Sequence, residues 1–341
     1  MIQVAILGGS GYTALELILL LLRHPHVKIE AVTSRQESQE GNPSIADLHP
    51  KLFQRIALRC EPFDVDQLVT RGVQCVFSCL PHGASMNAVP QLMARGLRVV
   101  DLSADYRLRD ANIYAQWYKE SHADLASLAQ AVYGLPEVYG DELLHAQLVA
   151  NPGCYPQSAV LALAPLVAGQ IIDLQDIIID SKSGVSGAGR SPTLTTHFPE
   201  CNESVAAYQV GVHRHTPEIE QTLTDLANAP VQVLFTPHLI PMDRGIFTTI
   251  YTVPRRPLTQ EQLLSMYREY YRSAPFIRIT DRIPSTKAVV GTNYCDMSLR
   301  VVGKRIVVLS CIDNLIRGAS GVAVQNFNRM YGFHETMSLI D

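Results

Sequence analysis

The hexapeptide Asn151-Pro-Gly-Cys-Tyr-Pro156 leads directly into the apolar run 158–167. That pattern reads as a rigid turn delivering one cysteine, Cys154, to the start of a helix. Unpaired backbone N–H groups and the helix dipole favour negative charge there. The same field favours thiolate over thiol, which makes the cysteine a nucleophile near neutral pH. A buried packing cysteine is the alternative, but a small apolar packer has no need of an Asn-Pro-Gly turn ahead of it. Farther along, His213 and His215 flank Arg214 just before the helix start Thr216-Pro-Glu-Ile. In an extended segment the side chains at i and i+2 point the same way, so both imidazoles can reach one cleft. Imidazole titrates near neutrality, so one of the pair is a candidate general acid/base, and the spacing does not say which. A hydrogen-bonded structural pair is the alternative reading. No third and fourth ligand cluster with them, so zinc is not expected. His197 and His238 are lesser candidates.

A second chemical element sits near the N-terminus. The residues Gly9-x-Gly11-x-x-Ala14 follow the apolar strand 2–7 and precede the helical run 15–23. Glycines in this setting permit a tight turn and close backbone approach to a pyrophosphate held at the helix N-terminus. Gly8, Gly9, Ser10, Gly11, Tyr12 and Thr13 are therefore the candidate dinucleotide loop. The second strand, 29–33, ends in Thr33-Ser34-Arg35, with no acid placed to hold a ribose 2′-hydroxyl. Hydroxyls and a guanidinium suit a 2′-phosphate, which favours NADP through Ser34 and Arg35; Glu37 is a late-placed counter-candidate.

These groups need elements to hold them. Strands at 2–7, 29–33, 73–80 and 97–102 alternate with helical stretches at 15–23 and 84–95. That alternation predicts a parallel, Rossmann-type sheet with helices on both faces. After Cys154 strand-like runs at 177–181, 231–235, 246–253, 294–302 and 305–312 lie close together, with helices at 216–228 and 259–273. Strands in succession predict a second, α+β domain for substrate and dimerisation, built on a mixed or antiparallel sheet. The expected division is 1–153 for the dinucleotide domain and 154–314 for the catalytic domain. From the pattern alone, the final helix over 318–331 can pack on either domain.

Composition narrows the class. Of 341 residues, 47% are hydrophobic and 18% charged, an ordinary globular balance with ample core. A net charge of −4, without any Lys/Arg block, gives no nucleic-acid groove. The longest apolar run, 17–22, is far too short to span a bilayer. Seven scattered cysteines without a CxxC pair argue against a disulfide framework and for a reducing compartment, the cytoplasm.

The chain resembles the N-acetyl-γ-glutamyl-phosphate reductases of arginine biosynthesis nearly end to end. The matching pieces are Gly8-Gly-Ser-Gly-Tyr-Thr13, Asp101-Leu-Ser-Ala-Asp-Tyr-Arg107, Tyr133-Gly-Leu-Pro-Glu137, the cysteine turn, Ser183-Gly-Val-Ser-Gly-Ala-Gly-Arg190, His213-Arg-His-Thr-Pro-Glu-Ile219, Phe235-Thr-Pro-His-Leu239 and Arg244-Gly-Ile246. That family is similar in architecture to aspartate-semialdehyde and glyceraldehyde-phosphate dehydrogenases. The resemblance implies NADPH-dependent reduction of an N-acetylated γ-glutamyl phosphate through a Cys154 thioester, with backbone N–H groups holding the oxyanion. It directs the acid/base role to the histidine pair, with a lean to His215. A substrate carrying phosphate and carboxylate calls for arginine forks, and Arg107, Arg190 and Arg214 lie inside matching motifs. The glycine-rich stretch with Ser186 and Gly187 can bring its backbone to phosphate or to the nicotinamide end of the cofactor. The resemblance also implies that the turn at Asn314 returns toward the nicotinamide and that the C-terminal segment 315–341 completes the dinucleotide domain. Asp47-Leu-His-Pro50 also matches, without an evident chemical role. An aspartyl or aminoadipyl phosphate is the alternative substrate, and a non-catalytic NADP-binding redox sensor the alternative class. A homo-oligomer, dimer or tetramer, is expected.

Overall fold

The computed structural model describes residues 1–34 and 42–340. Arg35 and Glu37 lie outside the described residues. The chain forms two compact units, Met1–Pro152 with Ala319–Asp341, and Gly153–Gly318.

The first unit is built on seven strands: β1 (Ile2–Leu7), β2 (Val27–Thr33), β3 (Cys60–Glu61), β4 (Cys75–Ser78), β5 (Arg98–Asp101), β6 (Val132–Tyr133) and β7 (Leu148–Ala150). Every pairing is parallel, in the order β3-β2-β1-β4-β5-β7-β6. β1 is buried from Val4 to Leu7 because helices cover both sheet faces, which explains its unbroken apolar run. The strand order reverses beside β1, so the glycine loop after it stands at the switch point of the sheet, where such folds bind ligands. The loop's helix, Tyr12–Leu21, begins three residues earlier than the apolar run 15–23 predicts, because Gly11 takes the cap position.

The last helix, Gly321–Met330, belongs to this unit. Asn326 donates to the Gly134 carbonyl at 2.8 Å, His24 Nε2 meets Asn328 Oδ1 at 2.8 Å, and Ser320 donates to the Thr13 carbonyl at 2.8 Å. The expected single helix over 318–331 is instead a π-helical turn, Ile316–Ser320, followed by the α-helix. Its widened ring is visible in the Gly318 N–H, which reaches the carbonyl of Asp313, five residues back, at 2.8 Å.

The second unit carries β8 (Ile172–Ser183), β9 (Ala206–Ala207), β10 (Leu234–Leu239), β11 (Ile246–Pro254), β12 (Ile277–Ile279), β13 (Cys295–Val302) and β14 (Arg305–Ile312). The sheet is mixed, in the order β12-β13-β14-β11-β8-β10-β9. Pairs β10/β8 and β12/β13 are parallel, and the others antiparallel. The strand expected at 231–235 starts at Leu234, because its register is set by β8, with Leu234 opposite Ile178 and Leu239 opposite Ser183. Three helices layer on one face: Cys154–Ala168, Thr216–Ala227 and Gln260–Tyr270. The first is buried at every residue from Tyr155 to Val167, and such an all-round apolar helix must lie central in its layer. Ser158 ties it to Thr248 and Ser310 on the sheet at 2.8 and 3.1 Å. From the other side Tyr271 and Tyr267 donate to the Leu161 and Ala162 carbonyls.

Candidate active site

Cys154 is the first residue of its helix, with Gly153 in extended conformation at the cap and no side chain capping the end. The N–H groups of that turn are therefore oriented toward the position of the thiol and of whatever it attacks. Gly153 is itself held: its N–H donates to Glu218 Oε1 at 2.7 Å, and Glu218 is fully buried. A carboxylate accepting a buried N–H makes a strong, short bond. Because Glu218 follows His215 by three residues, this bond fixes the histidine segment to the cysteine turn.

His213 and His215 lie with ring centroids 4.8 Å apart at 65°. The extended conformation expected for this segment is not found: residues 209–215 form turns, and His215 has φ −81° and ψ −12°. The rings converge for another reason. The His215 N–H donates to His213 Nδ1 at 3.1 Å, which folds the chain so that the first imidazole supports the backbone of the second. A backbone N–H can only donate, so His213 Nδ1 is an acceptor and the ring's proton sits on Nε2. Burial, and next the Arg214 charge, push His213 down to about 4, and it stays neutral at physiological pH. Tyr155, Tyr208 and Phe235 enclose His213 at centroid distances of 5.5, 5.5 and 5.3 Å. Tyr155 also meets His215 at 5.9 Å, and the Tyr155 and Tyr208 hydroxyls pair at 2.8 Å. Burial raises both phenols, Tyr208 to about 12, so both remain protonated donors. His215 lies at the edge of this aromatic box and is half-buried.

Ser186, Gly187 and Asn314 form one cluster. Asn314 donates to Ser186 Oγ at 2.9 Å and accepts from the Gly245 N–H at 2.6 Å. A Cβ on Gly187 would meet Ser183 Oγ at 3.2 Å and the Asn314 amide nitrogen at 3.7 Å. Of the candidate arginines, Arg214 lies in the histidine turn and is half-buried, whereas Arg190 is exposed just after Gly189. Arg107 belongs to the first unit, buried, where it donates to the Asn151 and Leu102 carbonyls at 2.8 and 3.0 Å. It thereby braces the ends of β7 and β5. Asp101 beside it accepts from Ser85 and Ser103 at 2.7 and 2.6 Å, and burial raises it to about 6.

The glycine loop in the first unit is sterically specific. Gly8 has φ +79°, and a Cβ there would stand 2.7 Å from the Cys79 carbonyl oxygen. The N–H groups of Gly8 and Gly9 both reach the Thr33 carbonyl, at 3.1 and 2.8 Å. Gly11 is different, because a Cβ there meets nothing within 4 Å. It opens onto space at the N-terminus of the helix carrying Tyr12 and Thr13, the cradle a pyrophosphate needs. Ser34 stands at the end of β2, its N–H on the Glu61 carbonyl at 3.3 Å.

Several contributors escaped the sequence reading. His49, from the motif without a role, is buried and bonds the Gly9 carbonyl at 2.7 Å through Nε2; Asp47 caps the short helix before it. Glu218, Tyr155, Tyr208 and Asp313 are the others. Glu218 carried a signal, a carboxylate inside a helix start three residues after a candidate base, whereas the tyrosines could be placed only by tertiary packing. Among the described residues no group of three or more His, Cys, Asp or Glu side chains could hold a metal ion, and no helix is long and apolar enough to cross a membrane.

A parallel-sheet dinucleotide unit followed by a mixed-sheet unit that carries a cysteine at a helix start is the architecture of the semialdehyde dehydrogenase class. The family models "Semialdehyde dehydrogenase, NAD binding domain" and "Semialdehyde dehydrogenase, dimerisation domain" match residues 3–146 and 154–314. The aspartate semialdehyde dehydrogenase II of Vibrio cholerae has the same fold at a TM-score of 0.73 and 17% identity, over 97% of this chain and 98% of that one. The NADP-bound Candida albicans enzyme gives 0.71 and 15%, over 97% and 98%. Within the class, N-acetyl-γ-glutamyl-phosphate reductase of Desulforudis audaxviator is 49% identical over 100% of this chain and 98% of its own. The Rhodopirellula baltica reductase is 47% identical over 99% and 98%. The chain belongs to the N-acetyl-γ-glutamyl-phosphate reductase family.

Proposed function

We infer that the chain catalyses NADPH-dependent reduction of N-acetyl-γ-glutamyl phosphate to N-acetylglutamate semialdehyde and phosphate, in arginine biosynthesis. Near-half identity along the whole chain to reductases of that name is the observation that carries it. NADPH, when bound at the loop Gly8–Thr13 with Ser34 near its 2′-phosphate, supplies the hydride. Everything else falls to the chain's own residues. The Cys154 thiolate attacks the acyl phosphate carbon, the C–O bond to phosphate breaks, and a thioester forms. N–H groups of the Cys154 turn hold the oxygen that becomes negative. The oxygen left negative on reduction takes a proton from His215, and His215 takes that proton back as the thiohemiacetal collapses to the aldehyde and the C–S bond breaks to return the thiolate. Arg190 and Arg214 bind the phosphate and carboxylate. Arg107 braces the strand ends, and any contact it makes with substrate is secondary to that.

The test is the reverse reaction: N-acetylglutamate semialdehyde, phosphate and NADP are mixed with enzyme while NADPH absorbance is followed. Phosphate-dependent NADPH formation is expected. A signal only with aspartate semialdehyde would move the substrate, and silence with both would replace catalysis by cofactor sensing.

The two loop glycines separate folding from cofactor binding. Gly8→Ala is expected to lower Tm by several degrees, since αL strain of about 1–2 kcal/mol adds to a backbone clash. Gly11→Ala should melt like wild type yet bind NADPH about tenfold or more weakly, because its methyl occupies the cradle. Thermal melts and NADPH titration distinguish them; equal affinity in Gly11→Ala would move the pyrophosphate elsewhere.

The partner we propose is a second copy of the chain. The sheet face of the second unit opposite its helices carries Ile178, Phe247, Tyr251, Val307 and Leu309 at least partly exposed, and that face suits sheet-to-sheet pairing into a dimer or tetramer. A cytoplasmic setting accords with seven cysteines, none in a disulfide.

A further inference from the structure

We propose that the turn Asp313–Gly318 is a positioning device for the Cys154 thiol, with Gly318 as the positioning residue. The proposal rests on Cys154 being the nucleophile. A Cβ built on Gly318 would stand 2.8 Å from the Cys154 Cβ and 3.3 Å from its Cα. Carbon atoms in contact need about 3.5–4.0 Å, so a methyl there is roughly an ångström too close. Part of the obstacle is Cys154 backbone, and rotating the thiol does not relieve it. Gly318 does not need a left-handed conformation, so space alone accounts for glycine at this position.

The wall behind Gly318 is stiff. Its N–H is bonded to the Asp313 carbonyl, closing the π-helical ring. The Asp313 carboxylate is fully buried and accepts hydrogen bonds from four donor groups. Arg244 reaches both its oxygens, at 3.0 and 2.9 Å, the Gly291 N–H donates at 2.7 Å, and the Leu315 and Ile316 N–H groups donate at 2.8 and 3.0 Å. The neighbouring Asn314 bonds the Gly245 N–H and Ser186. Two loops and the first turn of the π segment thus converge on one carboxylate, and Gly318, held by the same turn, lies against the Cβ of Cys154. With the Glu218–Gly153 bond holding the turn from the other side, the cysteine is clamped at the helix N-terminus. π-turns recur at functional sites, and a displacement of about 1 Å in a reacting group costs on the order of 10²-fold in rate.

The experiment measures iodoacetamide alkylation of Cys154 by peptide mass spectrometry from pH 5 to 10, with kcat, in wild type, Gly318→Ala and Asp313→Asn. In Gly318→Ala kcat should fall about 10²-fold. Its alkylation profile should move to higher pH by about one unit, slowing the reaction at pH 7 about tenfold. Asp313→Asn keeps the side-chain shape and, measured where its melt shows a folded protein, should move both readouts the same way by less. A purely structural turn would change Tm and leave the alkylation profile where it was. Wild-type alkylation in Asp313→Asn and in folded Gly318→Ala overturns the proposal. An unreactive Cys154 in wild type would instead remove the nucleophile reading, and the positioning device with it.

Discussion

Cys154→Ser is expected to lower kcat by at least about 10⁴-fold while NADPH affinity and Tm stay at wild-type values. The substitution exchanges one atom at a half-buried position, so the helix Cys154–Ala168 and the Gly153–Glu218 bond persist. The chemistry does not. An alkoxide lies too far above neutral pH for a helix N-terminus to populate it, and an ester accepts hydride less readily than a thioester. Steady-state assays in both directions, with NADPH titration alongside, make the measurement. Activity within tenfold of wild type would remove the covalent thioester route.

Replacing His215 by Asn should cost about 10²–10⁴-fold in kcat, the usual value of a positioned acid/base. His213→Asn should cost much less, because asparagine can still accept the His215 N–H. The pH profile distinguishes the two rings. His213, held at about 4 by burial and by Arg214, does not change charge across the working range. The acid limb of the rate profile should therefore survive His213→Asn and disappear in His215→Asn; the opposite pattern would exchange their roles. The same shift acts on stability. A histidine of ordinary value 6.5 lowered to about 4 on folding contributes stability above pH 6.5 that is lost as pH falls toward 4. His213→Asn should flatten that loss in acid melts.

Much of this was legible in the chain because local chemistry and global fold agree. The unbroken apolar β1 and the Gly9-x-Gly11 loop identified a parallel dinucleotide sheet. The Asn-Pro-Gly turn marked Cys154, since turn residues and helix start coincide there. The histidine pair was found for a wrong geometric reason: alternation in a strand was expected, and a hydrogen-bonded turn brings the rings together. Contributions that depend on residues distant in sequence had no local signature. Tyr208 reaches Tyr155 across 53 positions, Arg244 reaches Asp313 across 69, and His49 reaches Gly9 across 40. The start of β10 was misjudged because its partner β8, rather than its own apolar run, sets where pairing begins.

The return of the last helix to the first unit has a consequence for how the protein is made. Residues emerge from the ribosome in order, and domains generally close as their sequence becomes available. The second unit is complete once Gly318 has emerged, but the first still lacks the helix that fills it. Until then Phe77 has no Phe327 to pack against, His24 has no Asn328, and the Gly134 carbonyl has no Asn326. The half of the chain synthesised first is thus the half that waits longest, and its exposed sheet face stays open until the helix Gly321–Met330 has emerged.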